Sequence, residues 1–195
     1  DSMGVGESAV AFARLCIESE VRGTAAPSMP TEGFGDPRGV FVTINEFPSE
    51  DLRGCIGYPY PVMPLGDAVD SSARSACHDP RFPDLSPGEL DKVVVEVTVL
   101  TVPEEMGYED PRSLPGMVHI GEDGLIIEFK GRRGLLLPQV PVEWGWDAET
   151  FLRHLSMKAG LPPDAWTWEG TRIWRFGGEV FSEISPCGEI VKREI

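Results

Sequence analysis

Basic residues are scarce in this chain. Lys and Arg number 17 against 32 Asp and Glu, a formal charge of -15, and that balance opposes the phosphate neutralisation on which nucleic-acid affinity rests. Nucleic acid is therefore disfavoured as a partner, and the one basic cluster, Lys130, Arg132 and Arg133, reads as a solvated turn. Long apolar runs are missing too. No segment reaches the roughly 20 apolar residues of a membrane span, and the most apolar stretch near the start, Val10 to Ile17, is broken by Arg14. The expectation is a soluble, cytoplasmic protein with no membrane partner. Four cysteines (Cys16, Cys55, Cys77, Cys187) lack the compact spacing of a secreted disulfide scaffold. There is no CxxC and no HxxxH, so no metal site is expected, and no phosphate loop or dinucleotide fingerprint, so no cofactor. The chain does not begin with methionine, so native residues are expected before Asp1.

What is present suffices for a core. Hydrophobic content of 41% with 25% charged residues is ordinary for a globular protein, and 195 residues suit one domain with room for a small subdomain. The segment most suggestive of chemistry is Leu52-Arg53-Gly54-Cys55-Ile56-Gly57. Read as a regular strand, it places Arg53 and Cys55 on one face, about 7 Å apart. A guanidinium at that distance would favour a thiolate by roughly 2.4 kcal/mol at an effective dielectric near 20, whereas burial would raise the thiol pKa. Cys55 is thus either a reactive thiol or a buried small hydrophobe.

Along the chain, Ala9, Phe12, Ala13, Cys16 and Ile17 predict an amphipathic helix over about 4–22. Gly39 to Asn45 and Leu52 to Tyr58 predict a hairpin, followed by a helix from Leu65 to Cys77 with small residues on its packing face. Ser86-Pro87-Gly88-Glu89 predicts a capped short helix, and Val93 to Thr101 the strongest strand, with Glu96 on the face opposite Val93, Val95, Val97 and Val99. Met117 to Ile120 and Leu125 to Phe129 predict a second hairpin, followed by a strand at Gly134 to Leu137. Asp147 caps a helix with Phe151, Leu152 and Leu155 on its buried stripe, a short turn of helix follows at Pro163 to Trp166, and Arg172 to Phe176 with Glu179 to Ile184 predict a last hairpin across Gly177-Gly178. The order strand, strand, helix, short helix, strand occurs twice, with Arg53-Gly54 echoed by Arg133-Gly134. This is an α+β pattern.

Five motifs in order, Leu-Arg-Gly-Cys-Ile-Gly at 52–57, Asp-Pro-Arg-Phe-Pro at 79–83, Gly-Glu-Asp-Gly-Leu at 121–125, Leu-Leu-Pro-Gln-Val at 136–140 and Lys-Ala-Gly-Leu at 158–161, resemble those of the AMMECR family over about 39–184. The resemblance implies a single domain, spanning 1–195, of two related β-β-α-α-β-type halves that share one mainly antiparallel, barrel-like sheet with helices outside. It implies no reaction. It suggests a pathway shared with Memo-like and radical S-adenosylmethionine proteins, either of which becomes a candidate partner. Ser156 stands where family members often carry cysteine.

The functional expectation is a cleft around the Leu52 strand that binds or modifies a small anionic molecule. Cys55, Arg53 and Glu96 are the candidate catalytic residues, and Asp79, Arg81 and Gln139 the candidate binding residues. Each has a plainer reading. Glu96, a carboxylate in an apolar strand, is expected to pair with Arg53 or Arg81. Asp79 and Arg81 fix a proline-bracketed loop, Gln139 bonds backbone, and His78, the best-placed base, is a solvated helix-end residue. Trp144, Trp146, Trp166, Trp168 and Trp174 form core or a partner surface. The alternative to a small-molecule site is a non-catalytic interaction module.

Overall fold

The computed structural model describes residues 4–193. Of these, 4–100 with 179–193 form one compact unit and 101–178 a second. The first unit begins with α1 (Val5–Arg22), whose 3.6-residue apolar period is buried as the sequence predicts. Glu7 accepts the Gly4 N–H at its start (2.7 Å), and left-handed Gly23 (φ 67°) ends it.

Strands β1 (Val40–Glu46) and β2 (Leu52–Tyr58) pair antiparallel, helix α2 (Leu65–Ala76) follows, and a 3-10 helix (Pro87–Lys92) with Ser86 and Glu89 in a capping box leads into β3 (Val93–Leu100). Strand β3 pairs antiparallel with the other side of β1. On the inner face Val40, Val42, Ile44, Val93, Val95, Val97 and Val99 join α1 and α2 in one apolar core. Gly54 lets α2 approach the sheet closely: a Cβ there would lie 2.3 Å from the Ala76 carbonyl oxygen. Arg14 of α1 is buried and pinned by Glu183 (2.6 Å) and by the carbonyls of Leu90 and Val93 (2.8 Å each), so one guanidinium ties the helix to the sheet's central strands.

In the second unit a two-residue strand β4 (Glu104–Glu105) and a single-turn helix α3 (Leu114–Met117) precede β5 (Gly124–Phe129), β6 (Arg132–Leu136), α4 (Gln139–Trp144), α5 (Ala148–Lys158) and β7 (Arg172–Phe176). Strand β5 pairs antiparallel with β6 and β7, and α5 packs Phe151, Leu152 and Leu155 against Leu125, Ile127 and Ile173. Asp147 caps α5 through the Thr150 N–H (2.8 Å). The pairing β2-β1-β3 is thus repeated as β6-β5-β7. The Arg-Gly echo has a packing basis, since a Cβ on Gly134 would meet the backbone of Lys158 and Ala159 at the end of α5, as one on Gly54 meets the end of α2. The α+β class and the duplicated halves of the sequence reading stand.

Three expectations are corrected. The halves do not share a barrel-like sheet: among the described residues the strands form two open sheets, β2-β1-β3-β8-β9 and β4-β7-β5-β6, where β8 is Gly178–Glu183 and β9 is Ile190–Arg193. The Gly177-Gly178 hairpin does not form. Gly177 instead exchanges bonds with Thr101, its N–H donating to the threonine hydroxyl (2.7 Å) and its carbonyl accepting from the Thr101 N–H (2.9 Å), and β7 and β8 part into different sheets. Met117 to Ile120 is not a strand, because α3 ends at Met117 and Asp123 closes the next turn by accepting the His119 N–H (2.9 Å).

Candidate functional site

The register of β1 and β2 decides what the Leu52 strand presents. Ile44 faces Gly54, but the next residue, Asn45, faces Leu52, so Arg53 is an extra residue in a β-bulge. An unbulged strand would put Arg53 and Cys55 on one face; the bulge turns Arg53 to the helix side instead. There it is buried, with a side chain 9% exposed, forking onto Glu89 (Nε 3.0 Å, Nη2 3.1 Å) and donating to the Asp84 carbonyl (3.2 Å). That bond holds the Glu89 carboxyl below its usual range. The expected pairing of Arg53 with the thiol is therefore corrected, and so is its pairing with Glu96.

Cys55 lies on the outer face in a transverse row. It is directly opposite Thr43 on β1, which is directly opposite Glu96 on β3. The Thr43 hydroxyl and the Cys55 sulfur are 3.3 Å apart. Burial pushes the thiol pKa up, against smaller opposing effects of the Thr43 hydrogen bond and Arg81. Cys55 is a neutral thiol at neutral pH, unlike the thiolate that an adjacent Arg53 would have favoured. Cys16 and Cys77 are pushed up to about 12, chiefly by burial, and are packing residues.

Glu96 is 19% exposed, and burial raises its pKa, opposed by Arg193 and assisted by Glu50. Its ionic partner is Arg193 of β9 at 3.7 Å, in place of the expected Arg53 or Arg81. Arg193 stands at the same distance from Glu50. Both separations exceed a good hydrogen bond, so the guanidinium bridges its two carboxylates loosely. Beside this row a cavity of about 180 Å³ is lined by Asn45, Phe47, Glu50, Val94, Val191 and Arg193.

Asp79 and Arg81 close the outer edge of β2. One Asp79 oxygen accepts the Cys55 N–H (3.0 Å), Arg81 Nη2 approaches the Cys55 carbonyl (3.5 Å), and the two side chains fork onto each other at 2.7 and 3.1 Å. They supply the donor and acceptor that a neighbouring strand would have supplied, which protects the edge. Asp79 is 2% exposed, and Arg81 holds its carboxyl far below the usual range, whereas Arg81 itself is 58% exposed.

Gln139 opens α4 in the second unit and is exposed. His78 bonds Glu20 (2.8 Å) and Asp84 (3.1 Å) at the end of α2 and is half-exposed. Ser156 is fully buried, donates to the Leu152 carbonyl (3.0 Å) and accepts the Trp166 N–H (3.1 Å). Sequence reasoning missed two outer-face residues. Thr43 was legible from the hairpin register, while Arg193, nearly 100 residues from Glu96, carried no local signal.

The AMMECR1 family model matches residues 10–181. Protein MJ0810 of Methanocaldococcus jannaschii is 48% identical, over 97% of this chain and 96% of its own, and protein TK0174 of Thermococcus kodakarensis is 44% identical over the same shares. The crystal structure of an uncharacterized protein, PH0010, from Pyrococcus horikoshii superposes with a TM-score of 0.81 at 43% identity, covering 97% of each chain.

Proposed function

We propose, for a chain that belongs to the AMMECR1 family, that the outer face of the first unit's sheet binds a small anionic molecule beside Cys55, Thr43 and Glu96. The observation that carries this reading is the second half of the duplicated fold, which serves as an internal control. Gly54 opposite Ile44 corresponds to Gly134 opposite Ile127, so the row Cys55, Thr43, Glu96 corresponds to Leu135, Ile126, Trp174. The same architecture is built there with apolar residues. Sheet formation alone does not require a thiol, a hydroxyl and a carboxyl in this row, and burying a carboxyl is costly.

The charges suit an anion of modest size. Arg193 holds Glu50 and Glu96 only at 3.7 Å, so a ligand carboxylate or phosphate can engage its unused donors. The exposed edge of Arg81 supplies a second cation at the β2 border. The carboxyl of Glu96, with its raised pKa, is suited to give or take a proton. Cys55 lines the site as a neutral thiol oriented by Thr43.

The test is a thermal-shift screen of small carboxylates, phosphates and neutral analogues, repeated on Cys55→Ala and Glu96→Gln. A true ligand at 100 times its dissociation constant adds about 2.7 kcal/mol, which for a chain of this size raises Tm by roughly 5 to 10 °C. It should also slow iodoacetamide alkylation of Cys55 in a Cys187→Ser background. Hits that shift both variants as much as the parent, with no protection of Cys55, would place the ligand elsewhere.

A further inference from the structure

Independently of that site, we propose that the second unit carries a docking surface for a basic, amphipathic segment of another protein, centred on Trp144. Trp144 is 71% exposed, and Val142 on the same helix is 58% exposed. Gly121 contacts Val142 closely enough that a Cβ there would lie 3.6 Å from it, which brings the exposed Ile120 beside the helix. Single exposed apolar side chains are ordinary, but here Ile120 and Val142 expose apolar surface on one flank of the short helix and Trp144, two residues further on, exposes it on the other.

The patch is built to hold its shape. Trp144 stacks on Trp146 (centroids 6.3 Å apart, 16° between planes), and Trp146 stacks on His154 of α5 (3.8 Å, 15°). The His154 Nδ1 is in turn fixed against the Thr150 carbonyl at 3.0 Å. The exposed indole is therefore held by a ladder rooted in the unit's main helix. An aromatic side chain fixed before binding loses little entropy when a partner covers it, and tryptophan is among the residues that dominate interfaces.

Charge chooses the occupant. Glu122 lies in the turn that carries Ile120, and Glu143 precedes Trp144. Neither has a salt bridge among the described residues, and Asp147 lies just beyond, at the start of α5. On a unit that carries 12 Asp and Glu against 8 Lys and Arg, this acidic rim disfavours nucleic acid and anionic lipid and attracts lysine or arginine. The open indole face adds a cation–π partner for the same groups.

The probes are two peptides of about 16 residues with one shared apolar helical stripe, carrying either lysine or glutamate on the polar face. They are titrated against the full chain by calorimetry and by the indole resonance of Trp144. The lysine peptide should bind saturably at one site, weaken as salt rises, and lose at least about tenfold in affinity on Trp144→Ala. Glu143→Lys should weaken it several-fold without moving Tm, while Val62→Ala, at an equally exposed residue of the first unit, should change nothing. Equal binding of the glutamate peptide, or undiminished binding to Trp144→Ala, would overturn the proposal. So would binding to phosphatidylserine vesicles that Trp144→Ala abolishes, or a dimer dissolved by the same change, since either would assign the patch to a different occupant.

Discussion

Arg53→Ala separates the architectural role of this arginine from the activating one that its position in the motif suggests. The guanidinium makes two bonds to Glu89 and one to the Asp84 carbonyl, at 3.0 to 3.2 Å, from a side chain 9% exposed. Charge-assisted bonds are each worth about 1.5 to 3 kcal/mol, but Glu89 is 34% exposed and will be hydrated when its partner leaves, which removes much of the penalty. A net loss of about 2 kcal/mol is expected, equivalent to a Tm lower by roughly 4 to 8 °C. Glu89→Ala should cost somewhat less, and the double variant less than the sum of the two, because the pair shares one interaction. The decisive measurement is made in parallel: the alkylation rate of Cys55 by iodoacetamide at neutral pH, with Cys187 replaced, should stay within about twofold of the parent, since a one-unit pKa change would move it about tenfold. A wild-type Tm in Arg53→Ala, or a tenfold slower alkylation, would refute the bulge as the explanation and restore the arginine to the thiol.

Three further outcomes follow from the same geometry. Gly54→Ala should destabilise by about 3 kcal/mol or more, because a Cβ 2.3 Å from the Ala76 oxygen must displace the backbone end of α2; urea denaturation measures it, and a near-neutral result would remove the close-approach argument. Asp79 has its pKa depressed by Arg81, so its contribution is fully present above the ordinary carboxylate range near 4 and is lost as pH falls below it; Asp79→Asn should be less stable than the parent at pH 7 and converge with it in acid. Glu96 has the opposite sign, with a raised folded pKa, so stability falls as pH rises from about 4 through that value; Glu96→Gln should match or exceed the parent at pH 7, and a clear loss there would mean the carboxylate is structurally required.

The fold was legible where a single period governed a long segment. The stripe of α1, the alternation of β3, and the cap and stripe of α5 each follow from side chains that must reach one core, and the structure repeats them. It was not legible where the partner lay far along the chain. Nothing near Gly177-Gly178 signals that Thr101 will take its backbone bonds, so a dipeptide with good hairpin chemistry instead marks the passage from one sheet to the other. Likewise β9 is four residues long and half-exposed, with no pattern to distinguish it from a tail, yet it delivers the cation that faces Glu96.

The two Arg-Gly pairs show why the candidate site in particular escaped the sequence. In β6 the register is regular: Arg133 faces Glu128, lies 3.2 Å from it, and remains half-exposed on the same face as Leu135. In β2 the same dipeptide carries one residue too many for its partner strand, and Arg53 is buried on the opposite face, bonded to a glutamate 36 residues away. Local propensity cannot separate these cases, because both strands are short and carry the same Arg-Gly pair near their start. The difference lies in the partners. Glu89 sits within reach behind β2 on a capped 3-10 helix, and its fork with Arg53 accompanies a change in strand parity. Moving the arginine off the outer face leaves the thiol in a row with Thr43 and Glu96, where burial rather than a neighbouring cation sets its protonation. The resulting chemistry follows from the position of one extra residue. Deleting Leu52 would let Arg53 stand opposite Asn45 in regular register and return the guanidinium to the side of Cys55, with a lower thiol pKa and faster alkylation as the expected result.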